Sequence, residues 1–476
     1  MERSIISTLA MAAVCSCSSK PLAVNQPSRG EQLFAATANW PAFAEASAAG
    51  PPRGAVDIVF VVDNSASMAP LQQQLAAGFD AFMNVIDGLP GGPPDLHIGV
   101  VSSDMGAGDG SLAGCNGQGG DRGALQFAPR GACTATGLDP TARFIALRTE
   151  TDGSRTTNYG AAGLSDVFGC IALLGEAGCG FEQPFSSVQY ALDPALAPDD
   201  NAGFLRRDAF LGVIIISNED DCSVGAGAAL FYTTSNTNVG SQLGPPTNFR
   251  CNEFGHLCDV NGRLQRPPRT ATGELTGCRS NESDGYLESV ASVIRFLRWL
   301  KSDPAKVFVA SVAGPPTPYQ VNLTTPPISD DAPWPTIGHS CAGPGGIFGD
   351  PAVRLNQLTE TLGPYGHFET ICGDSMNTSL SHIATMMTKP LAFSCVARPA
   401  SAAGCQVLDR LIDGSGGKAV TEIPPCAQTG SGPCWSLVND PSCLSTEQRL
   451  VVDRAGAPVP AGVMTAIDCT GAPLPW

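Results

Sequence analysis

The stretch Asp57-Ile-Val-Phe-Val-Val-Asp63-Asn-Ser65-Ala-Ser67-Met68 decides the fold of this 476-residue chain. The apolar run from Ala55 to Val62, rich in β-branched residues, predicts a buried central strand. Pro70 follows at a position where the first turn of a helix tolerates proline. Apolar residues then recur on one helical face, at Leu71, Leu75, Phe79, Phe82, Met83 and Ile86. The stretch therefore predicts a strand that passes through a polar turn into an amphipathic helix.

Strands and helices continue to alternate along the chain. Further strands are expected at His97 to Val101, Phe210 to Ile216 and Val307 to Val312, and short strands at Phe144 to Leu147 and His367 to Ile371. Helices are expected at Pro184 to Leu192, Tyr286 to Leu300, Leu355 to Leu362 and Leu380 to Met387. This alternation predicts an α/β fold with a doubly wound, mostly parallel sheet.

Composition and charge narrow the classes of partner. The chain has a net charge of −17, and only 15% of its residues are charged. An acidic chain of this kind argues against a nucleic-acid partner, because binding to phosphates needs clustered Lys and Arg. An acidic surface suits divalent cations, although solubility alone explains the bulk charge.

The cysteine content and the first residues indicate export. Eighteen cysteines are typical of a protein from an oxidising compartment. Residues 1–17 resemble a secretory signal, whose apolar core from Ile5 to Val14 is too short to span a bilayer. Val14-Cys15-Ser16-Cys17 resembles a bacterial lipobox, and we favour lipidation of Cys17 over plain secretion. We expect a bacterial cell-envelope protein that touches the membrane only through this anchor.

Changes in composition divide the rest of the chain. Residues 18–53 are interpreted as a linker with a short ordered arm from Gln32 to Phe43. The α/β domain is expected at 54–389, with insertions at 106–143 and 223–282. The Cys-rich segment 390–476 predicts a small disulfide-stapled domain of short strands.

The cysteines between these boundaries are candidates for disulfides. We expect Cys115–Cys133 to pin the Gly-rich first insertion and Cys170–Cys179 to clip the following loop. The remaining candidates are Cys222, Cys251, Cys258, Cys278, Cys341 and Cys372. An alternative is a zinc site formed by Cys251, Cys258 and His256 with Cys222 or Cys278. The spacing differs from that of zinc knuckles, and disulfides are favoured in an exported chain.

The polar turn after the first strand is a candidate metal site. Ligands of open α/β sheets bind beyond the carboxyl ends of the strands, where Asp63, Ser65 and Ser67 are expected to lie. One carboxylate and two hydroxyls are hard oxygen ligands, which suit Mg²⁺, Ca²⁺ or Mn²⁺. The alternative interpretation is a helix cap combined with a turn at the end of a strand.

The pattern Asp-x-Ser-x-Ser after an apolar strand resembles the first motif of the metal-ion-dependent adhesion site in von Willebrand factor A-type domains. The resemblance extends from about Gly54 to Met387. It implies that Asp63 holds a divalent cation partly through water, whereas Ser65 and Ser67 coordinate it directly. Mg²⁺ is the first expectation for the cation.

Two other positions depart from the family pattern. The Asp expected after the fourth strand falls on Asn218, whose carbonyl can still coordinate, and Asp220 or Asp221 is a possible substitute. The loop that carries a Thr in the family corresponds to residues 175–183, which contain none. Glu182 or Glu176 is expected to supply an oxygen there instead.

The resemblance implies a non-enzymatic binding or adhesion module whose cation accepts a carboxylate from a protein or surface polymer. The first alternative is a disulfide-stapled scaffold that holds no metal. The second is a metal-dependent hydrolase, for which the sequence offers carboxylates but no His near them. Asp104, Asp109 and Asp121 in the Gly-rich loop are interpreted as solvated carboxylates rather than calcium ligands.

Overall fold

The structure, a computed structural model, describes residues 40–42, 55–88, 94–107, 115, 120–130, 133–134, 136–150, 154–207, 209–225, 238–301, 306–326, 331–391, 405–411, 420–429, 432–439, 448–454 and 463–468. The predicted signal, Cys17 and most of the predicted linker lie outside these residues, as do Asp109, Cys395, Cys443 and Cys469. Within the described ranges, no helix combines the length and the apolar character needed to cross a membrane.

The strands and helices are numbered along the chain. The strands are β1 Trp40–Ala42, β2 Ala55–Val62, β3 Asp95–Ser102, β4 Ile145–Thr149, β5 Arg155–Thr157, β6 Phe210–Ile216, β7 His256–Val260, β8 Arg263–Gln265, β9 Gly273–Ser280, β10 Val307–Ala313, β11 Tyr319–Thr324, β12 Trp334–Ile337, β13 Cys341–Ala342, β14 Phe348–Gly349, β15 Gly366–Thr370, β16 Gln406–Leu411, β17 Val420–Ile423, β18 Cys434–Asn439, β19 Gln448–Asp453 and β20 Val463–Asp468. The helices are α1 Ala69–Asp87, α2 Leu164–Ala172, α3 Pro184–Leu192, α4 Phe249–Gly255, α5 Val290–Trp299, α6 Val353–Leu362 and α7 Met376–Leu391.

A seven-stranded, mostly parallel sheet lies at the centre of the fold. Its strand order is β15-β10-β6-β2-β3-β4-β5. The five strands from β15 to β3 are parallel to their neighbours, whereas β4 and β5 pair antiparallel at one edge. The mixed α/β fold with a mostly parallel sheet is thus confirmed. Helix α2 and the strands β11 to β14 were not expected from the sequence.

Helices cover both faces of this sheet. Side chains alternate along β2, so Ile58 and Phe60 face one side while Val59 and Val61 face the other. The first side packs against α1, α2 and α7, and the second packs against α3, α5 and α6. Each face has its own hydrophobic core, which explains why β2 and β6 are almost entirely apolar.

The second predicted insertion has secondary structure of its own. It contains α4 and the strands β7, β8 and β9, which join β11 and β12 in a five-stranded sheet of order β12-β11-β9-β7-β8. Two disulfides, Cys222–Cys251 and Cys258–Cys278, brace it. Because all four sulfurs are in disulfides, the alternative of a zinc site at these cysteines is wrong.

Disulfides elsewhere correct two predicted pairings. Cys115 bonds to Cys179 rather than to Cys133, and Cys133 bonds to Cys170. The loop after β3 and the loop before α3 meet at the same edge of the sheet, so cysteines distant in sequence become neighbours. Cys341 and Cys372, both predicted candidates, bond to each other. Spacing along the chain therefore did not determine connectivity.

The Cys-rich C-terminal segment has the short strands that the sequence predicts. Strands β16, β17 and β20 form an antiparallel sheet with β1, which lies inside the predicted arm from Gln32 to Phe43. Strands β18 and β19 pair separately. A small core forms around Trp435, and the disulfide Cys426–Cys434 lies beside it in sequence.

Inside β2, Asp57 interrupts the apolar run with a fully buried charge. Arg206 donates to it from its backbone N–H and from Nε, both at 2.7 Å. The Nζ of Lys301, whose side chain is also fully buried, lies 3.2 Å from Asp57 Oδ2. Burial lowers the pKa of Lys301, and the attraction of Asp57 opposes this shift. The network joins β2 to the segments that precede β6 and β10.

We expect Asp57→Ala to lower the free energy of unfolding by about 3–5 kcal/mol, because it leaves the buried Lys301 without its counter-charge. The matched control is Asp200→Ala, which removes a solvent-exposed ion pair with Arg143 and should cost at most about 1 kcal/mol. Urea titration followed by circular dichroism measures both values. Equal losses in the two variants contradict a stabilising role for the buried network.

Peptide mapping under non-reducing conditions tests the two corrected disulfides. Mass spectrometry should find peptides linked through Cys115–Cys179 and Cys133–Cys170. Peptides linked through Cys115–Cys133 or Cys170–Cys179 would instead support the pairing expected from sequence.

Candidate metal centre

The Asp63 turn lies where the order of the central sheet reverses. The strands β2, β3, β4, β6, β10 and β15 are arranged third-second-first-fourth-fifth-sixth, so β2 and β6 are neighbours at the reversal. The Asp63 N–H donates to the carbonyl of Ile216, the last residue of β6, at 2.9 Å. In open α/β sheets, loops that diverge at such a point leave a crevice at the carboxyl ends of the strands.

The carboxylate of Asp63 is fully buried and held on both oxygens. Oδ1 accepts the N–H of Ser65 at 2.7 Å, and Oδ2 accepts the hydroxyl of Ser217 at 2.7 Å. Burial raises the pKa of Asp63, although these hydrogen bonds oppose the shift. The side chain is therefore fixed in place, and its burial disfavours the negative charge.

The two serines of the motif differ in their partners. Ser65 is buried, and its Oγ has no partner beyond its contact with the Asp63 carboxyl group. Ser67 is partly exposed, and its Oγ lies 2.9 Å from Asn218 Nδ2 and 3.3 Å from Asn218 Oδ1. The motif thus places two hydroxyl groups in one turn: Ser65, which contacts only Asp63, and Ser67, which contacts Asn218.

Two glutamates complete a cluster of carboxyl groups with Asp63. Glu182 is 1% exposed, and its Oε1 has no hydrogen-bond partner. Burial, with the neighbouring charges of Glu219 and Asp63, raises the pKa of Glu182 well above its usual value. Burial also raises the pKa of Glu219 to about 8, and the Glu182 and Glu219 side chains are hydrogen-bonded to each other.

Within the part of the chain that the structure describes, the cluster has no ion-pair partner. No salt bridge between described residues includes Asp63, Glu182 or Glu219. Buried carboxylates are normally paired with a cation or a metal. The cluster therefore holds its carboxyl groups without a counter-charge, and a bound cation would stabilise their ionised form.

The donor atoms suit a hard divalent cation. Asp63, Ser65, Ser67, Glu182 and Asn218 all offer oxygen, the ligand type that Mg²⁺, Ca²⁺ and Mn²⁺ prefer. Two of these atoms, Ser65 Oγ and Glu182 Oε1, are buried, and apart from the contact of Ser65 with Asp63 they have no hydrogen-bond partner. Among the described residues, no group of three or more His, Cys, Asp and Glu side chains has the arrangement of a metal site. A cation here would accordingly need the hydroxyl and amide oxygens as well.

Surrounding contacts hold the turn against the loop before α3. The buried Gln72 of α1 donates to the carbonyls of Asp63 and Gly175, both at 2.9 Å, and accepts the Gly175 N–H. The Gly178 N–H donates to the Asn64 carbonyl at 2.9 Å. A Cβ at Gly178 would lie only 2.3 Å from Asn64 Oδ1, so this close approach requires glycine.

Asp220 and Asp221, the predicted substitutes for Asn218, have other partners. Asp220 accepts the N–H groups of Arg354 and Leu355 in the first turn of α6 and bonds His256 Nε2 at 2.8 Å. Asp221 pairs with the Arg354 guanidinium at 3.0 Å. Their oxygens are already used, so we correct the expectation that either one replaces Asn218.

The other predicted carboxylates also lie outside the cluster. Asp121 forms two hydrogen bonds of 2.8 Å with the Arg130 guanidinium, so it is paired rather than simply solvated. Asp104 accepts the Gly106 N–H at 2.8 Å, and burial raises its pKa. Glu176 is exposed, so Glu182 is the glutamate that this loop brings to Asp63.

Two histidines lie closer to carboxylates than the sequence suggested. His256 is fully buried and uses both ring nitrogens, bonding Asp220 and the hydroxyl of Tyr319. His339 is half-exposed and bonds Asp350 at 2.6 Å. The statement that no His lies near the acidic loops is therefore wrong, because the fold brings distant segments to this edge.

Sequence reasoning missed Glu219, Ser217 and Gln72 as parts of the site. Glu219 belongs to the polar run Asn218 to Asp221, in which neighbouring residues have similar chemistry but point to different partners. Gln72 lies on the buried side of α1, and a glutamine among apolar positions was the one available signal.

Comparisons with known proteins add little to this picture. No protein-family model and no curated protein matches the chain. Among solved structures, the pilus adhesin SpaC from Lactobacillus rhamnosus GG in its open conformation has a TM-score of 0.28 and 11% identity, over 90% of this chain and 38% of that chain. The pilus adhesin RrgA from Streptococcus pneumoniae has a TM-score of 0.21 and 9% identity, over 90% of this chain and 57% of that chain. The chain thus spans less than two thirds of either adhesin, and TM-scores this low carry no conclusion about fold or function.

The partners of Asp220 predict a structural role for this residue. We expect Asp220→Ala to lower the free energy of unfolding by about 3 kcal/mol, because it leaves His256 and two N–H groups of α6 without an acceptor. Glu360→Ala, an exposed change on the same helix, should stay within about 0.5 kcal/mol of the wild type. Denaturant titration compares the two, and a negligible loss for Asp220→Ala contradicts the assignment.

Proposed function

We propose that this chain is an exported binding module of the von Willebrand factor A type, which uses a divalent cation to bind a protein or surface polymer of the cell envelope. Asp63, Ser65 and Ser67 would hold the cation, with Glu182 and Asn218 from the neighbouring loops. Mg²⁺ is the first expectation, and Ca²⁺ or Mn²⁺ would fit the same oxygen donors.

The observation that carries this proposal is the pair of unpartnered oxygens beside Asp63. Apart from the contact of Ser65 with Asp63, Ser65 Oγ and Glu182 Oε1 are buried without hydrogen bonds, within a cluster of carboxyl groups that has no ion pair in the described chain. A buried polar atom without a partner costs about 1–3 kcal/mol. A cation would satisfy both oxygens and neutralise the cluster.

The arrangement of the fold supports the same proposal. The third-second-first-fourth-fifth-sixth strand order, with helices on both faces, is that of a doubly wound sheet. The site lies at its reversal point, where such sheets bind ligands. The Asp-x-Ser-x-Ser motif occupies this point, as the resemblance to A-type domains implies.

Exposure within the site indicates how a partner would reach it. Asp63, Glu182 and Asn218 are buried, whereas Ser67 and Glu219 are partly exposed. A bound cation can accept a carboxylate from a partner as its last ligand. The partner would therefore approach between the Ser67 turn and the loop that carries Glu219.

The proposed location outside the cytoplasm has two supports. The first seventeen residues resemble a secretory signal with a lipobox at Cys17, and this segment lies outside the described residues. The described part of the chain contains six disulfides, which persist in oxidising compartments.

A second candidate function is a disulfide-stapled scaffold that holds no metal. It is favoured by the contact of Ser67 with Asn218 and by the hydrogen bond between Glu182 and Glu219. Together these bonds satisfy part of the cluster without a cation.

Isothermal titration with Mg²⁺, Ca²⁺ and Mn²⁺ separates the two candidates. We expect one cation per chain in the wild type, and a loss of affinity of about 10- to 100-fold in Asp63→Ala, because this carboxylate supports the cation partly through water. Glu176→Ala, which removes an exposed carboxylate from the adjacent loop, should bind as the wild type does. The absence of binding for all three cations favours the scaffold.

Partner binding needs a separate experiment. Capture of envelope components by the purified chain should be lost in EDTA and restored by the cation that binds in titration. Unchanged capture by a folded Asp63→Ala variant contradicts the proposed role of the cation in partner binding.

A further inference from the structure

An exposed patch of aromatic and basic side chains lies at the end of α5. Arg295, Arg298 and Trp299 are three and four residues apart, so they share one face of the helix. All three are exposed, and Trp299, at 67%, is more exposed than any other large apolar side chain in the described chain. The ring of Phe296, one turn earlier, lies 6.4 Å from the ring of Trp299. The end of α5 thus presents a tryptophan and two arginines to solvent.

This patch lies at the amino-terminal edge of the central sheet. Lys301, two residues after α5, donates from Nζ to the carbonyl of Arg206 at 2.6 Å. Arg206 donates from Nη2 to the carbonyl of Val56, at the start of β2, at 2.9 Å. These bonds hold the end of α5 beside the exposed Arg207 and the first residues of β2. The candidate metal centre follows the other end of this eight-residue strand, so the two surfaces lie at opposite edges of the sheet.

The charge of the patch is opposite to that of the whole chain. The chain has a net charge of −17, whereas α5 contains two arginines and no acidic residue. Among the described residues, no salt bridge includes Arg207, Arg295 or Arg298. Asp208 and Asp303, in the adjoining loops, lie outside the described residues. An anionic surface would attract this edge and repel the acidic remainder of the chain, so it would also orient the molecule.

Two features favour an anionic membrane over an acidic protein as the partner of this patch. Tryptophan prefers the headgroup region of a bilayer, and arginines beside it are attracted by anionic lipids. The upstream segment with the lipobox-like Cys17 joins the α/β domain at Ala55, the first residue of β2, which lies at the same edge as the patch. A tether at Cys17 would therefore enter the domain on the side that carries Trp299.

Resting on the proposed location at the cell envelope, we propose that Arg207, Arg295, Arg298 and Trp299 form a membrane-binding surface for anionic lipid headgroups. Trp299 enters the headgroup region, and the three arginines face the lipid phosphates. A lipid chain alone holds a protein weakly, and a basic patch supplies the second attachment that stable binding needs. In this orientation the candidate metal centre points away from the membrane, toward an incoming partner.

Cosedimentation with vesicles tests this surface. The full chain, purified with Cys17→Ser so that no acyl group contributes, is mixed with vesicles of phosphatidylglycerol and phosphatidylcholine or of phosphatidylcholine alone. We expect binding only to the anionic vesicles, and its loss at high salt, because salt screens exposed charges. Arg295→Gln combined with Arg298→Gln should weaken partitioning by about 25-fold, which is about fivefold for each arginine. Trp299→Ala should weaken it by about tenfold.

Matched controls make the same kinds of change elsewhere on the surface. Arg263→Gln combined with Arg279→Gln removes two exposed arginines of the second insertion, so the net charge changes equally. Leu264→Ala removes another exposed apolar side chain. Both controls should partition as the wild type does. Circular dichroism verifies that each variant is folded.

The outcomes separate this inference from the proposed cation-dependent function. The membrane surface is rejected if the wild type ignores anionic vesicles, or if the patch variants bind them as well as the controls do. Self-association that the double arginine variant abolishes, without vesicle binding, would instead assign the patch to a second copy of this acidic chain. Cation titration of the same samples is an independent measurement, so a wild type that binds a cation but no vesicles loses only the membrane surface.

Discussion

The burial of a negative charge at the end of β2 is the constraint on which the site depends. Asp63 follows the central strand of a sheet covered on both faces, so its carboxyl group is fully shielded from solvent. Each of its oxygens takes a hydrogen bond from a neighbouring loop or turn. Loops from different strands must therefore converge on this point, and their convergence builds the site.

Buried acidic residues elsewhere in the described chain show how unusual this cluster is. Asp57 has Arg206 and Lys301, Glu253 has Arg269, and Asp221 has Arg354. Each of these carboxylates faces a cationic side chain, as buried charges generally do. The cluster at Asp63 instead contains further carboxyl groups and two oxygens without partners. The contrast makes a bound cation the simplest partner for the carboxyl groups of this cluster.

Long apolar runs made the centre of the fold predictable. Strands β2, β3, β6 and β10 and helix α3 lie where their hydrophobic patterns indicated, because a buried parallel strand has no solvent-facing residues to interrupt it. The carboxyl end of β2 and the motif Asp63-x-Ser65-x-Ser67 together indicated where the candidate site lies. By contrast, Asp57 has no signal in the pattern that distinguishes a buried, paired charge from a break in the strand.

The parts that sequence could not predict depend on how loops meet in space. Within Asn218 to Asp221, backbone conformation alone decides that Glu219 joins Glu182 while Asp220 caps α6. The partners of Cys115 and Cys133 likewise depend on two loops that approach each other across the sheet edge. Local patterns along the sequence do not encode these long-range contacts. They predicted the chemical type of each site residue, but not which residues the fold brings together.

Anomalous scattering from crystals grown with Mn²⁺ tests the central claim most directly. The account predicts one strong peak within coordination distance of Ser65 Oγ and Glu182 Oε1, beside Asp63. A folded protein with Mn²⁺ bound elsewhere, or with no peak at this edge of the sheet, would contradict it.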